Sequence, residues 1–571
     1  MASELRPVAS DARVHRSDRL DRSANIAALL TGQAQLHSER SAVLEPIGRG
    51  CAPIRYRTTT FGELDRISDE LAADVVRRGV TPGKKLVLFV PFSTNFIAWT
   101  FALMKAGAVV VLIDPGMGRR NIFRCLEEVE PDGFVGIRRV QLIRWLMRRR
   151  FPKARCNITV SGPPQLRGTS RTAVELPGVE ARDPAAVIFT SGSTGPPKGV
   201  LYEHGMFAAQ VRMIQQQYGI EPGEIDLPGF PLFGLFNAAM GVTTVIPQMD
   251  PTRPARVDPV RIVAAIDQQR VTQAFGSPAF WNRVGRHCDE RRITMPGVKR
   301  ALSAGGPVPV HVVERMSRAL SAPGADLFTP YGATESLPVA SVGGREILAR
   351  TASMTRAGAG TCVGRAFPEV EIAIIEATDG PLESIKDARR LACGEIGEII
   401  VRSPSVTREY YQRPDATRLA KIPDPDGPGV GRPDFWHRIG DVGYLDADGL
   451  LWFCGRKAHI VHTPNGPLYS VCCEGIFDGD PGVDRSALVG IGDRPNQRPV
   501  LVVEPDAELA GRGRQSDEFI QSLLDLAGSH SLTSEIKDVL LHRSLPVDTR
   551  HNVKIDREQL AKWAAATLRS T

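Results

Sequence analysis

FTSGSTGPPKGV, residues 189–200, carries the strongest structural signal in this chain. The apolar run AVIFT (186–190) leads into it and predicts a buried strand. The loop then supplies hydroxyl groups, and glycines whose backbone can approach a ligand, from Ser191, Gly192, Ser193, Thr194 and Gly195. Lys198 adds a point charge for phosphate. Because the residue order differs from that of a Walker A loop, the pattern predicts a phosphate-binding loop of another kind.

Short apolar runs alternate with longer segments of helical character on both sides of this loop. Examples are LVLFV (86–90), AVVVLI (108–113) and the run at 273–277. This alternation predicts an α/β fold with substantial β-sheet. The longest apolar run, residues 96–113, contains Lys105 and Gly107. We therefore expect it to form a buried helix followed by a core strand, and not a membrane span.

The C-terminal part of the sequence predicts a strand, a hairpin and then a separate small unit. GEIGEIIVR (394–402) is typical of a strand, and residues 444–454 predict a hairpin around the turn DADG. Further strand and helix signals lie at 487–492, 499–504 and 516–529. We expect a domain boundary near residues 456–458, which divides the chain into residues 1–457 and 458–571.

Composition limits the class of protein and the class of partner. The chain has 571 residues, 42% of them hydrophobic and 24% charged, as in a globular protein long enough to bury a large core. Its net charge of +7 comes without a basic stripe interleaved with aromatic residues, so we expect anionic small molecules and not nucleic acid as partners. The nine cysteines form no CxxC pair and the N-terminus has no apolar signal region, so we expect a cytoplasmic protein.

One segment is strongly basic: IRRVQLIRWLMRRRFPKAR, residues 137–155. Its apolar residues lie at near-helical spacing, at Val140, Ile143, Trp145, Leu146 and Phe151. A surface helix with a solvated basic face would explain this pattern. A helix that contacts a membrane surface or docks a partner would explain it too. The sequence leaves these alternatives open.

Further motifs accompany the loop in a fixed order, and together they carry a resemblance. They are LMKAGAVVVLIDP (103–115), SAGGPVP (303–309), YGATES (331–336), GEIGEIIVRSPSVTREYYQRPDAT (394–417), RIGDVGYLDADG (438–449), CGRKAHIV (454–461) and PVDTRHNVKIDR (546–557). Over about residues 60–560 the chain resembles adenylate-forming enzymes: acyl-CoA synthetases, peptide-synthetase adenylation domains and luciferases. The resemblance implies a large N-terminal α/β domain with several sheets. It also implies a small, mobile α+β C-terminal domain that carries the terminal lysine.

The resemblance also implies a reaction and a set of site residues. Such enzymes use ATP and Mg²⁺ to convert a carboxylate into an acyl-adenylate and pyrophosphate. The implied nucleotide-binding residues are Thr190, Ser191, Gly192, Ser193, Thr194, Gly195, Lys198, Gly305, Gly306, Tyr331, Gly332, Asp441 and Arg456. The implied catalytic residues are Thr334, Glu335 and Lys554, and the implied Mg²⁺ ligands are Glu335 and Thr190. Lys554 would bridge the substrate carboxylate and the α-phosphate, where negative charge accumulates.

A narrower resemblance concerns four segments. They are YGATESLPVA (331–340), TRAGAGTCVGR (355–365), FWHRIGDVGYLDADGLLWFCGRKAH (435–459) and VDTRHNVKIDREQLA (547–561). They are similar to segments of the olefin β-lactone synthetases of bacterial long-chain hydrocarbon biosynthesis. This resemblance implies that a 2-alkyl-3-hydroxy fatty acid is adenylated and that its own β-hydroxyl then displaces AMP to close a β-lactone. The alternative is a long-chain fatty acyl-CoA ligase or a fatty acyl-AMP ligase. Assembly with other enzymes of the pathway and peripheral contact with a membrane are further expectations about partners.

Several residues differ from those of the thioester-forming relatives. These differences concern the step in which the acyl group leaves AMP. Ala458 stands where those enzymes normally have the Asp or Lys about which the small domain rotates. Gly234 stands where many acyl ligases have histidine, and Asn552 where glycine is usual. The base that takes the hydroxyl proton stays open, with His204 and His437 as candidates beside nucleotide motifs.

A group of potential metal ligands overlaps the segment around Ala458. Its members are Cys454, His459, His462, Cys472 and Cys473. The residue types suit zinc, but their spacing matches no common zinc pattern. We therefore expect no zinc site here.

Overall fold

The structure is a computed structural model, which describes residues 25–48, 53–164, 176–190, 196–427, 433–506, 516–547 and 555–570. Two predicted site segments therefore lie outside the described residues, namely 191–195 of the phosphate-binding loop and 548–554 with Lys554.

The described residues include sixteen α-helices. In chain order they are α1 (Ile26–Leu36), α2 (Phe61–Arg77), α3 (Thr94–Lys105), α4 (Arg119–Val129), α5 (Arg138–Leu146), α6 (His204–Tyr218), α7 (Pro231–Met240), α8 (Pro259–Gln268), α9 (Pro278–Arg291), α10 (Val310–Ala319), α11 (Gly344–Glu346), α12 (Ala352–Arg356), α13 (Pro414–Ala420), α14 (Ser470–Phe477), α15 (Ser516–Ser529) and α16 (Arg557–Ser570).

The strands fall into an N-terminal and a C-terminal series. The first series is β1 (Ser41–Pro46), β2 (Tyr56–Thr60), β3 (Lys85–Phe89), β4 (Val109–Leu112), β5 (Gly133–Ile137), β6 (Cys156–Val160), β7 (Pro184–Thr190), β8 (Lys198–Glu203), β9 (Ile225–Pro228), β10 (Thr243–Val245), β11 (Gln273–Gly276) and β12 (Arg300–Ser303). The second is β13 (Asp326–Ala333), β14 (Ser336–Gly343), β15 (Thr361–Ala366), β16 (Glu371–Ile375), β17 (Gly397–Arg402), β18 (Lys421–Pro423), β19 (Phe435–Leu445), β20 (Leu451–Arg456), β21 (Val461–Thr463), β22 (Gly466–Leu468), β23 (Val483–Ile491), β24 (Arg498–Pro505) and β25 (Asp538–Leu541).

The apolar runs that flank the phosphate-binding loop form the centre of one sheet, with the strand order β6-β5-β3-β4-β7-β8. Its strands pair in parallel, except for the antiparallel pair β7–β8. Val87 and Val109 face one hydrophobic core, whereas Leu86 and Val110 face another. A parallel sheet that is covered on both faces needs strands that are apolar throughout, which explains why these runs do not alternate.

A larger mixed sheet lies beside it, in the order β16-β17-β19-β20-β15-β14-β13-β12-β11-β9-β10-β1-β2, with β18 paired to β19. Strands β9–β13 supply a parallel section, and the β13–β14 turn reverses the chain direction. Side chains of α1, α2, α3 and α6 join residues of both sheets in one core. The two sheets are therefore held together by shared packing, and their strand ends are fixed relative to one another.

The apolar run at 96–113 confirms the sequence-based prediction. It forms the buried helix α3 and the core strand β4. Lys105, the charge within the run, is itself buried, and its ammonium lies 2.6 Å from carboxylate oxygens of both Asp65 and Asp69. Among the described residues, no helix combines the length and the apolar character that crossing a membrane requires.

The C-terminal strand and helix signals are also confirmed. The predicted hairpin is the antiparallel pair β19–β20, and the two later strand signals are β23 and β24. Strands β23, β24 and β25 form a small sheet with hydrophobic clusters of its own, including Phe477, Leu488, Leu501 and Leu523. The division of the chain at 457/458 stays a prediction.

Candidate active site

A cavity of about 2350 Å³ lies where the strand ends of the two sheets meet. It is lined by Lys198, Gly305, Gly306, Tyr331, Gly332, Thr334, Glu335, Asp441 and Arg456, all of which the sequence singled out. Thr190 ends β7 at the start of the loop, and the loop residues 191–195 and Lys554 lie outside the described residues. The structure thus brings together the described candidates from five separate motifs.

Strand ends explain why these side chains meet. Ser303 ends β12, and the chain turns directly after it at Gly305, whose positive φ of 100° favours glycine. The neighbouring strand β13 ends at Ala333 and presents Tyr331 and Gly332 at the same edge. Ligands of α/β proteins bind beyond the carboxyl ends of parallel strands, so this edge is the expected place for a site.

Asp441 joins Tyr331 and Arg456 in the first polar cluster of the cavity. The Tyr331 hydroxyl donates a hydrogen bond of 2.5 Å to Asp441 Oδ2, and Arg456 Nη1 lies 3.0 Å from Asp441 Oδ1. Asp441 and Arg456 are direct partners across β19 and β20. Burial and the charge of Asp441 raise the pKa of Tyr331, and the same charge raises the pKa of Arg456. The tyrosine therefore stays a hydrogen-bond donor, and the carboxylate is held in one orientation.

Glu335 belongs to a second polar cluster. The Tyr410 hydroxyl donates to Glu335 Oε1 at 2.8 Å, and the Lys198 ammonium lies 4.9 Å from the centre of the Tyr410 ring. Thr407 donates to the Glu335 carbonyl oxygen from its backbone nitrogen at 3.0 Å and from its hydroxyl at 3.1 Å. Burial and the charge of Glu335 raise the pKa of Tyr410. The carboxylate is thus oriented at the cavity wall beside a cation.

Sequence reasoning missed two tyrosines that shape this second cluster. Tyr410 lies within a motif that the resemblance used, but it was given no role there. The hydroxyl of Tyr202, on β8, donates to the Thr334 carbonyl oxygen and so fixes the turn that carries Glu335. The sequence offered one signal for both tyrosines. Tyr410 lies within the motif at 394–417, and Tyr202 lies two residues after the loop at 189–200.

Comparison with known proteins identifies the family of this chain. The AMP-binding enzyme family matches residues 30–411. The chain belongs to this family. It is 44% identical over 562 residues to an olefin beta-lactone synthetase of Stenotrophomonas maltophilia, a match that covers 96% of this chain and 99% of the relative. It is 43% identical to an olefin beta-lactone synthetase of Xanthomonas campestris, with 96% and 98% covered.

Solved structures support the adenylate-forming fold. ATP-bound MatB from Rhodopseudomonas palustris superposes with a TM-score of 0.75 at 20% identity and covers 95% of this chain and 99% of its own. The anthranilate CoA ligase AuaEII in complex with anthranoyl-AMP also gives a TM-score of 0.75, at 17% identity, with 96% and 99% covered. At these identities the likeness concerns the fold alone.

The two histidines considered as bases lie behind the cavity wall. His204, in the first turn of α6, is fully buried, and burial lowers its pKa to about 4. His437, on β19, is also buried, and it contacts Lys421 Nζ through Nδ1 at 3.1 Å. The histidines among the described cavity residues are instead His311 and His459. These positions argue against a direct role for His204 or His437 at the substrate.

Lys421 is a buried lysine that contacts the support of Glu335. Its ammonium donates to the carbonyl oxygen of Thr407, the residue whose hydroxyl and amide hold Glu335. Burial lowers the pKa of Lys421 to about 7, although the charge of Glu335 acts in the opposite direction. Burial and the Lys421 charge together lower the pKa of His437. The hydrogen bonds that support Glu335 through Thr407 therefore depend on the protonation state of Lys421.

The residue before Ala458 is anchored to the large sheet. Lys457 Nζ donates to the Thr378 carbonyl oxygen at 2.7 Å and lies 3.2 Å from Glu398 Oε2. Glu398 is buried and accepts from Arg438 through both of its carboxylate oxygens. Lys457 is thus tied to the large sheet directly before Ala458.

Among the described residues, no group of three or more histidine, cysteine or acidic side chains is placed to hold a metal ion. Cys454 and Cys472 are free thiols that pack with Val442 and Ile460 in a small hydrophobic cluster.

The remaining wall of the cavity is aromatic and apolar. Phe92, Phe96, Phe230, Phe233, Phe236 and Phe275 line it. Phe233 stacks on Phe275 with ring centres 3.7 Å apart. A Cβ atom at Gly234 would lie 2.8 Å from Phe92 Cζ, so this glycine allows the Phe92 ring to pack against α7.

The titration of Lys421 gives a pH prediction. Between about pH 7 and its unfolded value of about 10.4, the unfolded chain binds a proton that the folded chain does not. The free energy of unfolding of the wild type should therefore rise with pH relative to that of Lys421→Met, by roughly 1.4 kcal/mol per pH unit. Below about pH 7 the difference should be constant, since both states then hold the proton.

Urea denaturation of both proteins at several pH values between about 6 and 10 measures this difference. Lys562→Met, at an exposed position of α16, is the matched control and should show no such slope. A Lys421→Met curve parallel to that of the wild type across the whole range would show that Lys421 stays charged in the folded state.

Proposed function

We propose that this protein uses ATP to convert a 2-alkyl-3-hydroxy fatty acid into a β-lactone through an acyl-adenylate, with release of pyrophosphate and AMP. The near full-length similarity to two olefin beta-lactone synthetases carries this proposal. The cavity supports it, because one part is polar and built around Glu335 and Asp441, while another is lined by phenylalanines that suit alkyl chains.

In the first step a substrate carboxylate oxygen would attack the α-phosphorus of ATP, and the bond to the pyrophosphate oxygen would break. Two anions must approach each other for this reaction, so fixed positive charge has to offset their repulsion. Lys198 and Arg456 supply such charge among the described cavity residues. We assign the same task to Lys554, on the resemblance of its motif.

The donor set at the β13–β14 turn fits Mg²⁺. This ion prefers few carboxylates and completes its shell with phosphate oxygens and water. Glu335 offers one oriented carboxylate and Thr334 a hydroxyl at the cavity wall, and Thr190 begins the adjoining loop. A bound Mg²⁺ would neutralise charge on the phosphates. We assign Asp441 to the ribose hydroxyls, Gly305 and Gly306 to the adenine edge, and the loop to the outer phosphates.

In the second step the β-hydroxyl oxygen would attack the acyl carbonyl carbon, the bond between that carbon and the AMP oxygen would break, and a four-membered ring would close. Both reacting groups belong to one molecule, so a cavity that holds the chain in a bent conformation can lower the barrier by orientation alone. The hydroxyl proton would pass to a base. We assign this task to His459 because it lines the cavity.

The finer expectations on location and partners remain part of this proposal. We place the reaction in the cytoplasm, on the pattern of unpaired cysteines. We also expect the product to pass to an enzyme that consumes β-lactones, because a strained ring is a reactive product.

Product analysis tests the proposal. The protein should convert a synthetic 2-alkyl-3-hydroxy fatty acid, with ATP and Mg²⁺ but without CoA, into a β-lactone and AMP in equal amounts, as read by NMR and mass spectrometry. A thioester that forms only when CoA is present would assign the protein to the fatty acyl-CoA ligases. Acyl-AMP that accumulates without lactone would assign it to the acyl-AMP ligases.

The role of Glu335 leads to a second prediction. Tyr410→Phe removes the hydroxyl that orients this carboxylate and should raise the Mg²⁺ concentration needed for half-maximal pyrophosphate release by about tenfold. Tyr411→Phe is the matched control, because the Tyr411 hydroxyl accepts from Lys85 Nζ at 2.9 Å instead and should leave this value unchanged. An unchanged Mg²⁺ dependence for Tyr410→Phe would contradict the assignment of Glu335 as a ligand that depends on Tyr410.

A further inference from the structure

Helix α5 carries its apolar residues on the outside of the protein. Leu142, Ile143, Trp145 and Leu146 are exposed by 58%, 51%, 52% and 65%. We refer to these four residues as the α5 patch. The helix has no buried residue, although more than half of its residues are apolar. A surface helix normally turns its apolar stripe towards the core, so this arrangement is inverted.

A polar side chain takes the inward position instead. Gln141 Nε2 donates to the carbonyl oxygens of Phe134 at 3.1 Å and Ile158 at 2.8 Å, and it thereby attaches α5 to strands β5 and β6. Arg144 Nε donates in turn to Gln141 Oε1 at 3.0 Å. These hydrogen bonds fix the rotation of the helix about its axis. The exposure of the α5 patch is therefore a specified feature of the fold and not the result of a loosely attached helix.

Exposed arginines accompany the α5 patch on its own segment and on the preceding helix. Arg138, Arg139, Arg148 and Arg149 on the same segment are exposed, and so are Arg119, Arg120 and Arg124 on the adjacent helix α4. Arg150 pairs with Glu127 and lies against the Phe123 ring, which places α4 beside this segment. The Arg148 guanidinium lies 5.2 Å from the centre of the Trp145 ring. An exposed apolar patch with Trp and Leu, accompanied by exposed arginines, complements a surface that is apolar below and anionic above.

The segment that carries the α5 patch also borders the cavity. Ile137, the last residue of β5, and Val140, in the first turn of α5, both line the cavity. Leu142 and Leu146 lie at most two turns further along a helix that rises about 1.5 Å per residue. Along the helix axis the α5 patch therefore lies within about 13 Å of residues that line the cavity.

We propose that the α5 patch docks this protein onto an anionic lipid bilayer, with the adjoining mouth of the cavity turned towards the lipid. Trp145 and the leucines enter the headgroup boundary, and the arginines of α4 and α5 contact lipid phosphates. Two-chain fatty acids reside in membranes, so an entrance at the bilayer would spare the substrate a passage through water. This last point rests on the proposed function, but the docking itself does not.

Co-sedimentation with vesicles tests the docking without substrate or ATP. Wild-type protein should sediment with vesicles of phosphatidylcholine and phosphatidylglycerol, much less with phosphatidylcholine alone, and less as salt is raised. Arg139→Glu/Arg149→Glu should weaken binding about a hundredfold, and Trp145→Ala/Leu146→Ala should weaken it at constant charge. The matched control, Arg543→Glu/Arg569→Glu, makes the same charge change at exposed positions elsewhere and should leave binding within about twofold of the wild type.

Each variant should keep the wild-type melting temperature and wild-type turnover of a short-chain, water-soluble hydroxy acid, because the changed residues are exposed and lie outside the cavity. Failure of the wild type to sediment with anionic vesicles would overturn the proposal, as would equal binding by the control pair and the α5 variants. A change from dimer to monomer in Trp145→Ala/Leu146→Ala, without vesicle binding by the wild type, would identify the patch as an interface between two copies. Vesicle binding without lactone formation would contradict the proposed function and leave the docking intact.

Discussion

The contact between Asp441 and Arg456 connects the cavity with the segment that leads out of the large sheet. The two residues face each other on paired strands, and one carboxylate holds both the guanidinium at 3.0 Å and the Tyr331 hydroxyl at 2.5 Å. Directly after Arg456, Lys457 is tied to the buried Glu398. The segment beyond Ala458 therefore begins next to an ion pair that also lines the cavity. This carboxylate thus links residues of β13, β19 and β20 at the cavity wall.

The sequence predicted which motifs meet, because their order resembles that of adenylate-forming enzymes. The SAGG turn and the YGATE segment follow neighbouring parallel strands of the large sheet, and AVIFT ends a strand of the six-stranded sheet beside it. Lys198, Gly305, Glu335 and Asp441 were named through this resemblance, and all four line the cavity. The roles assigned to these residues and to Lys554 stay predictions, since they depend on a bound nucleotide.

What the sequence could not predict depends on contacts between distant parts of the chain. The Tyr202 and Tyr410 hydroxyls reach the β13–β14 turn from residues 132 and 75 positions away, and no local pattern encodes such a pairing. The depressed pKa of Lys421 arises from burial, which a single lysine in a loop-like segment does not reveal. The basic segment at 137–155 left a solvated face and a docking face open, and the inward hydrogen bonds of Gln141 show which side of the helix is exposed.

The central claim is that the substrate's own hydroxyl oxygen displaces AMP from the activated carboxyl group. The most direct test uses a 2-alkyl-3-hydroxy fatty acid in which both carboxylate oxygens carry a heavy isotope. Mass spectrometry should then find one heavy oxygen in AMP and one in the lactone carbonyl, because the carbon–oxygen bond to AMP breaks in the second step. Retention of both heavy oxygens in the lactone, with none in AMP, would mean that the hydroxyl group was activated instead, and it would contradict the account.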